Sequence, residues 1–199
     1  MDLCEASKEA NSETMNFLLS CGEEINKKKT IFGTFPLLEA VKAFEKNKNL
    51  EPLQMLITSG AELNEQDTNG WTILHHACEW GLIEVLELVF KIWQDGKTKK
   101  VQLNKLTNKN YHLLHIAAMN NQSAIIDFLL TSPIARKLDL NPSAVDGDCC
   151  TMLHHAARRG ATKALQKILE KSPQLLYEVD IGRNSALHYA AMNSTLAVI

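Results

Sequence analysis

One dipeptide recurs along this chain, and its period limits the possible fold more than any other feature. Leu74-His75, Leu114-His115, Leu153-His154 and Leu187-His188 follow one another at intervals of 40, 39 and 34 residues. Each histidine stands two residues before an alanine: Ala77, Ala117, Ala156 and Ala190. Upstream, Leu37-Leu38-Glu39-Ala40 and Leu3-Cys4-Glu5-Ala6 continue the series at intervals of 37 and 34 residues. A period of this size is the mark of stacked supersecondary units, none of which can bury its apolar face alone.

The flanks repeat as well. Asp67-Thr68-Asn69-Gly70-Trp71-Thr72 leads into Leu74, and Asp146 with Thr151 and Asp180 with Ser185 hold the same places before Leu153 and Leu187. After each alanine comes a polar or glycine turn at Gly81, Asn120-Asn121, Gly160 and Asn193-Ser194. A helical apolar pattern follows, such as Val85, Leu88, Val89 or Ile125, Phe128, Leu129. Gly22-Glu23-Glu24-Ile25-Asn26 and Gly60-Ala61-Glu62-Leu63-Asn64 close the first two units. Each unit therefore reads as turn, short helix, tight turn, longer helix, loop. The Thr or Ser before the Leu-His pair is expected to cap the first helix by accepting a free backbone N–H. The alanines let the paired helices approach closely.

This pattern resembles the ankyrin repeat, whose signature runs Asp-x-x-Gly-x-Thr-Pro-Leu-His-x-Ala-Ala. Trp71-Thr72-Ile73-Leu74-His75-His76-Ala77 matches best, Phe35-Pro36-Leu37 alone keeps the proline, and the fourth unit departs most, with Asn110 and His112 in the Gly and Thr places. The resemblance implies an all-α ankyrin-repeat solenoid, elongated and right-handed, without a sheet core. About six helix-turn-helix units fill a single domain over residues 1–199, at about 1–29, 30–66, 67–106, 107–145, 146–179 and 180–199. The extra residues at Phe44 to Glu51, Ile92 to Gln102 and Ser132 to Ser143 read as longer loops or extended helix ends. The last unit stops at Val198-Ile199 where its second helix should turn apolar, so the chain is expected to be a fragment of a longer protein, with Leu187, Ala191, Leu196 and Val198 more exposed than their inner equivalents.

Composition narrows the function. A net charge of -2 gives no overall pull toward nucleic acid or an anionic membrane, and no segment approaches the roughly 20 apolar residues of a membrane span. The N-terminus lacks the basic-then-apolar order of a signal peptide. Five cysteines without regular spacing argue for a reducing compartment, hence a cytoplasmic protein, or the host cytosol for a secreted effector.

Several groups invite catalytic or metal chemistry. Histidines at equivalent repeat positions lie a helix-packing distance of about 8–10 Å apart and cannot converge on one zinc ion. In ankyrin-like repeats this histidine bonds neighbouring turns, so His75, His115, His154 and His188 are expected to be largely buried and hydrogen-bonded. Asp148-Cys149-Cys150 with His154-His155 shows none of the common zinc spacings. Cys78 beside His75 and His76 suits a thiol nucleophile but occupies a small-residue place in the first helix, so a buried spacer is expected. No phosphate loop or nucleophile motif is present. No metal, cofactor or small-molecule substrate is expected, and the chain reads as non-catalytic. The lysine runs Lys27-Lys28-Lys29 and Lys91, Lys97, Lys99, Lys100 and Lys105 read as solvated loops.

Ankyrin domains use turn tips and the exposed face of the first helix as a concave binding surface, which the resemblance places on this chain position by position. The turn position before the cap is Thr34, Trp71, Tyr111, Cys150 and Asn184. The exposed helix end is Lys42-Ala43, Glu79-Trp80, Met119-Asn120, Arg158-Arg159 and Met192-Asn193. Ile31, Phe32, Thr68, Asn69, Asn108, Lys109 and Asp148 add to the tips. Trp71, Trp80, Tyr111, Met119, Arg158 and Arg159 are residue types enriched in interface hot spots, and with Asn69, Lys109 and Asp148 they form the expected protein-binding site. The expected function is a non-catalytic protein-interaction module. A substrate-recruiting segment of a larger enzyme or secreted bacterial effector, with its catalytic domain beyond residue 199, stays open as the alternative.

Overall fold

Helices of six to twelve residues are too short to hold in water by themselves, so each unit must lean on the next. The computed structural model describes residues 1–28, 33–96, 102, 104–133 and 140–193. Among them are eleven α-helices, one 3-10 turn and no strand, with an isolated antiparallel bridge between Val179 and Ser185. The residues gather into two compact units, Met1–Ala77 with Glu84–Leu103, and Cys78–Ile83 with Asn104–Ile199.

In the first unit, α1 (Leu3–Lys8) and α2 (Ser12–Ser20) form one hairpin, and α3 (Pro36–Asn47) and α4 (Glu51–Thr58) the next. Helix α1 packs on α3 and α2 on α4, which sorts first and second helices into separate rows. The unit boundary runs through α5 (Ile73–Trp80) and α6 (Ile83–Gln94). In the second unit, α7 (Leu113–Met119), α9 (Met152–Arg159) and α11 (Ala186–Met192) make the first row, and α8 (Ser123–Thr131) and α10 (Thr162–Lys171) the second. A 3-10 turn, Pro173–Tyr177, packs on α10. Ala117, Ala118, Ala156, Ala157 and Ala190 are wholly buried in the first row, where their small side chains suit close helix packing. Part of the extra length is helix: α3 and α6 each reach 12 residues, and Phe44 is buried in the last turns of α3.

Local chemistry sets the ends. Asp2 caps α1, its Oδ1 accepting the Glu5 N–H at 3.0 Å while Glu5 Oε2 accepts the Asp2 N–H at 3.1 Å. Pro36 opens α3, where its missing N–H costs nothing. Asparagines tie successive repeats: Asn26 Oδ1 accepts the Glu62 N–H at 2.9 Å and Asn64 Oδ1 the Gln102 N–H at 2.7 Å. In the second unit Asn121 Oδ1 does the same for Ala164 N–H at 3.0 Å. Leu187 is 41% exposed, against 2% and 0% for Leu114 and Leu153 at the same repeat position, and Ala191 is exposed too, while Leu196 and Val198 lie outside the described residues.

The turn before each first helix requires a left-handed residue. Gly33 and Gly70 fill that place with φ of 62° and 76°, but Asn110, Cys149 and Arg183 hold it with φ of 59°, 60° and 61°. A side chain in this region costs of order 1 kcal/mol, which glycine does not incur. Cys149→Gly is therefore expected to stabilise the fold by about 0.5–1 kcal/mol, read as a higher urea midpoint at unchanged slope. An unchanged or lower midpoint would show that the turn holds Cys149 without strain.

Candidate functional site

The site grows from the histidine that follows each repeat leucine. His115 Nδ1 accepts the His112 N–H at 3.0 Å, and His154 Nδ1 accepts the Thr151 N–H at 3.1 Å. An accepting Nδ1 places the ring proton on Nε2. His115 Nε2–H then donates to the Ala144 and Cys150 carbonyls at 3.1 Å, and His154 Nε2–H to the Asn184 carbonyl at 3.1 Å. One neutral imidazole thus closes its own turn and holds the turn of the following repeat. The expected N-cap arrangement is altered accordingly: at Thr151 and Ser185 the imidazole nitrogen accepts both the backbone N–H and the hydroxyl. His75, His115 and His154 are buried as expected, but His188 is exposed, which corrects the expectation of burial there, even though it keeps its bond to Ser185.

A second bond, spaced nine residues apart, stiffens the same turns. Asp146 Oδ1 accepts the Asp148 and Cys150 N–H groups at 2.9 Å, while Oδ2 accepts from His155 Nε2–H at 2.7 Å. Asp67 repeats this with the Asn69 and Trp71 N–H groups and with His76 at 3.0 Å. Asp180 accepts the Asn184 N–H and the Tyr189 hydroxyl, the latter at 2.5 Å. Burial works against the Asp146 carboxylate, but the Cys150 N–H, His155 and the Asp148 N–H outweigh it and hold its pKa below the usual value. The Tyr189 hydroxyl, first among several donors, holds Asp180 at about 2. The fourth unit replaces both partners: Thr107 Oγ1 accepts only the Tyr111 N–H at 3.1 Å, and a wholly buried Ile116 stands in the histidine place. These acceptors and donors were missed in the sequence, although Asp67/His76, Asp146/His155 and Asp180/Tyr189 stand there at one constant spacing.

The half-exposed rings rest on this scaffold. In the first unit the Trp71 indole lies 5.1 Å from the His76 ring and 6.2 Å from His75. In the second, Tyr111 meets the His155 ring edge-on at 5.1 Å and His115 at 6.2 Å. Both rings are part-exposed. Trp80 and Met119 are also part-exposed, and Asn69, Lys109, Asp148, Arg158 and Arg159 are exposed. Asn69 and Trp71 belong to the first unit, and the remaining seven expected site residues to the second. There Arg158 and Asp148 lie close enough to act electrostatically on the Tyr111 hydroxyl, whose pKa is raised chiefly by burial. Arg158 also donates to the Tyr189 hydroxyl at 2.7 Å and stacks its guanidinium 4.4 Å from that ring.

Two expected surface positions are corrected. Cys150 is wholly buried, because its small side chain turns inward beside Asp146 and Arg158 where Trp71 and Tyr111 are too large to follow. Ala43 is buried as well, on the packed side of α3 with Leu37, Ala40 and Phe44. Ile31, Phe32, Lys29, Lys97, Lys99 and Lys100 lie outside the described residues. Lys28 is engaged, pairing with Glu65 and donating to the Gln66 carbonyl.

The cysteine-histidine segment folds differently from its order in sequence. Asp146, Cys150 and His155 converge with donor atoms within 4.8 Å, whereas Asp148 and Cys149 are exposed and His154 serves the next turn. The converging groups already satisfy one another: His155 gives its proton to Asp146, and an Arg158 N–H faces Cys150 Sγ at 3.5 Å, placing a positive charge where a cation would sit. Burial raises the Cys150 pKa and pushes the fully buried Cys78 thiol far up, away from nucleophilic chemistry. No helix among the described residues is long and apolar enough to cross a membrane.

Comparison with known proteins agrees with this geometry. Three overlapping copies of the ankyrin-repeats family model match residues 3–100, 39–144 and 114–199. The chain belongs to the ankyrin repeat family, whose members are protein-interaction modules. It is similar to the transient receptor potential cation channel subfamily A member 1 of Drosophila melanogaster, 26% identical over 95% of this chain and 15% of that protein. The Homo sapiens channel of the same name is 30% identical over 94% of this chain and 16% of its own length. Alpha-latrotoxin-Lhe1a of Latrodectus hesperus is 31% identical over 66% of this chain and 8% of the toxin. The chain thus spans well under a fifth of the curated relatives it matches. Among solved structures, the ankyrin repeat domain of Bcl-3, a member of the IkappaB protein family, superposes with a TM-score of 0.79 at 20% identity, covering all of this chain and 82% of that one. EF0377, an ankyrin repeat protein, gives 0.78 at 20% identity over 98% and 93%.

The bridging histidine makes the fold acid-sensitive. Burial first, then the neighbouring His155 and His112, lower the His115 pKa from 6.5 to about 4. The unfolded chain therefore takes up this proton before the folded one. The stability is complete above about pH 6.5 and falls as pH drops toward about 4, by up to about 3 kcal/mol for this group. His115→Ala is expected to cost about 1–3 kcal/mol at neutral pH and to flatten this acid slope in urea titrations. An unchanged slope would remove His115 as its source.

Proposed function

We propose that the chain is a non-catalytic module that takes a protein partner on the turn tips and first-helix ends of its repeats, through Trp71 and Asn69 in the first unit and Trp80, Lys109, Tyr111, Met119, Asp148, Arg158 and Arg159 in the second. One observation carries this reading. Trp71 and Tyr111, at the same repeat position, are fixed against histidine rings yet leave part of their surface in solvent. A large ring already ordered loses little conformational entropy on binding, which is what a hot spot needs. A core residue would be covered, and a solvated spacer would carry Lys, Glu or Ser there.

The partner is a protein rather than nucleic acid, membrane or small molecule, in a cytosolic compartment. The five cysteines, none joined in a disulfide, fit that compartment. A second reading keeps the same face but makes it the recruiting arm of a larger protein, an enzyme or a secreted effector. The small share of each relative's length that the chain covers favours keeping it open.

Trp71→Ala and Trp80→Ala are each expected to weaken partner binding by about 2 kcal/mol or more, with the helical circular dichroism retained. The partner is first obtained by affinity capture with the wild-type chain and then titrated as a purified protein. If the double variant binds that protein as tightly as wild type, the assignment of Trp71 and Trp80 is wrong.

A further inference from the structure

The chain contains four arginines, and three of them, Arg158, Arg159 and Arg183, fall in the last two repeats of the second unit. All three are exposed. Arg158 and Arg159 end helix α9, and Arg183 sits in the turn that leads into α11. Bonds between the repeats tie the Arg183 turn and α11 to α9 and to the turn before it. His154 on α9 holds the Asn184 carbonyl, the Ile181 N–H donates to the Asp148 carbonyl at 3.0 Å, and Arg158 reaches Tyr189 on α11. Among the described residues neither Arg159 nor Arg183 belongs to an ion pair.

From this placement we infer that the second unit's binding face takes an acidic, extended segment of a protein partner, its carboxylates meeting Arg159 and Arg183 while its side chains lie on Tyr111, Met119 and the Arg158–Tyr189 pair. The inference rests on the interaction-face reading above and adds the chemistry of the occupant.

Four features of the site argue for that occupant. Arginine in place of lysine favours carboxylates, because its planar fork can bond both oxygens at once. Two acidic groups of these turns are withdrawn, Asp146 and Asp180, which are buried and bonded to His155 and Tyr189, while Asp148 and Glu178 are exposed. Arg158 is positioned by its hydrogen bond and ring contact with Tyr189, so an incoming group meets an ordered guanidinium. Arg183 occupies a left-handed turn position where glycine would be less strained, and it keeps a long cation at the tip.

Register adds a length scale. Neighbouring repeats step by about 8–10 Å, and an extended peptide advances roughly 3.3 Å per residue. Acidic residues about three apart would therefore meet successive repeats. Asp148, the exposed carboxylate within the face, lies one repeat after Lys109, so the segment carries its charge toward the α9–α11 end.

A random short-peptide library displayed on phage and selected on the intact chain tests this. Enriched sequences are synthesised and titrated by fluorescence anisotropy at low and physiological salt. The expected result is enrichment in Asp and Glu at spacings of about three, with affinity falling about tenfold or more for Arg159→Ala and for Arg183→Gly. Arg183→Gly is the decisive variant, because relief of the turn should raise its melting temperature while binding is lost, which separates recognition from folding. Neutral or basic enriched peptides, binding indifferent to both arginines, or no enrichment at all overturns the acidic occupant. If neutral peptides are enriched and their binding falls with Tyr111→Ala, the interaction face stands and only the charge assignment is lost. A single-stranded oligonucleotide of matched charge serves as a competitor. Equal competition by it would show that the site reads charge alone, and the peptide assignment would fall.

Discussion

A neutral imidazole shared between two turns is the interaction on which this architecture depends. His115 and His154 each accept a backbone N–H at one ring nitrogen and donate from the other to a carbonyl of the following repeat. Helices of seven or eight residues gain little by themselves, and their first turns carry free N–H groups that must be satisfied. The histidine satisfies one of these groups within its own unit and a carbonyl of the next. The ring can do both only while uncharged, so burial of the repeat and the low pKa of His115 are one fact seen twice.

The Asp–His and Asp–Tyr bonds add a second constraint, and the fourth unit shows its logic. A buried carboxylate needs several donors, which two turn N–H groups and a helix side chain supply at Asp67 and Asp146. Where Thr107 replaces the carboxylate, a histidine at 116 would have lost its acceptor, and the place is filled by isoleucine. Removing both polar partners together avoids leaving either unsatisfied. The same bond makes Asp146, Cys150 and His155 converge, so the cluster follows from the turn scaffold with one cysteine turned inward.

The proposed function draws on the rigid parts. The rings proposed for binding sit directly on the hydrogen-bonded histidines, so the network that joins repeats also fixes Trp71 and Tyr111. Arg158 is held in the same way by Tyr189. In each unit a large side chain whose freedom is already reduced is thus presented at the same repeat position.

The repeat, the helix pairs, the turn positions and the burial of His75, His115 and His154 can be read from the residue order, because they follow from a period and from residues that act on near neighbours. Position within the repeat also marked Trp71, Tyr111 and Met119 as part-exposed. Which residue of a turn faces inward depends instead on how the repeats pack. Cys150 fell inside and His188 outside although both match their repeat positions, since burial depends on side-chain size and on what the neighbouring repeat covers. The Asp–His spacing was legible in the letters, but its meaning required knowing that a turn folds back over its own helix. Likewise Arg158 and Tyr189, 31 residues apart, meet only because stacking places one repeat against the next.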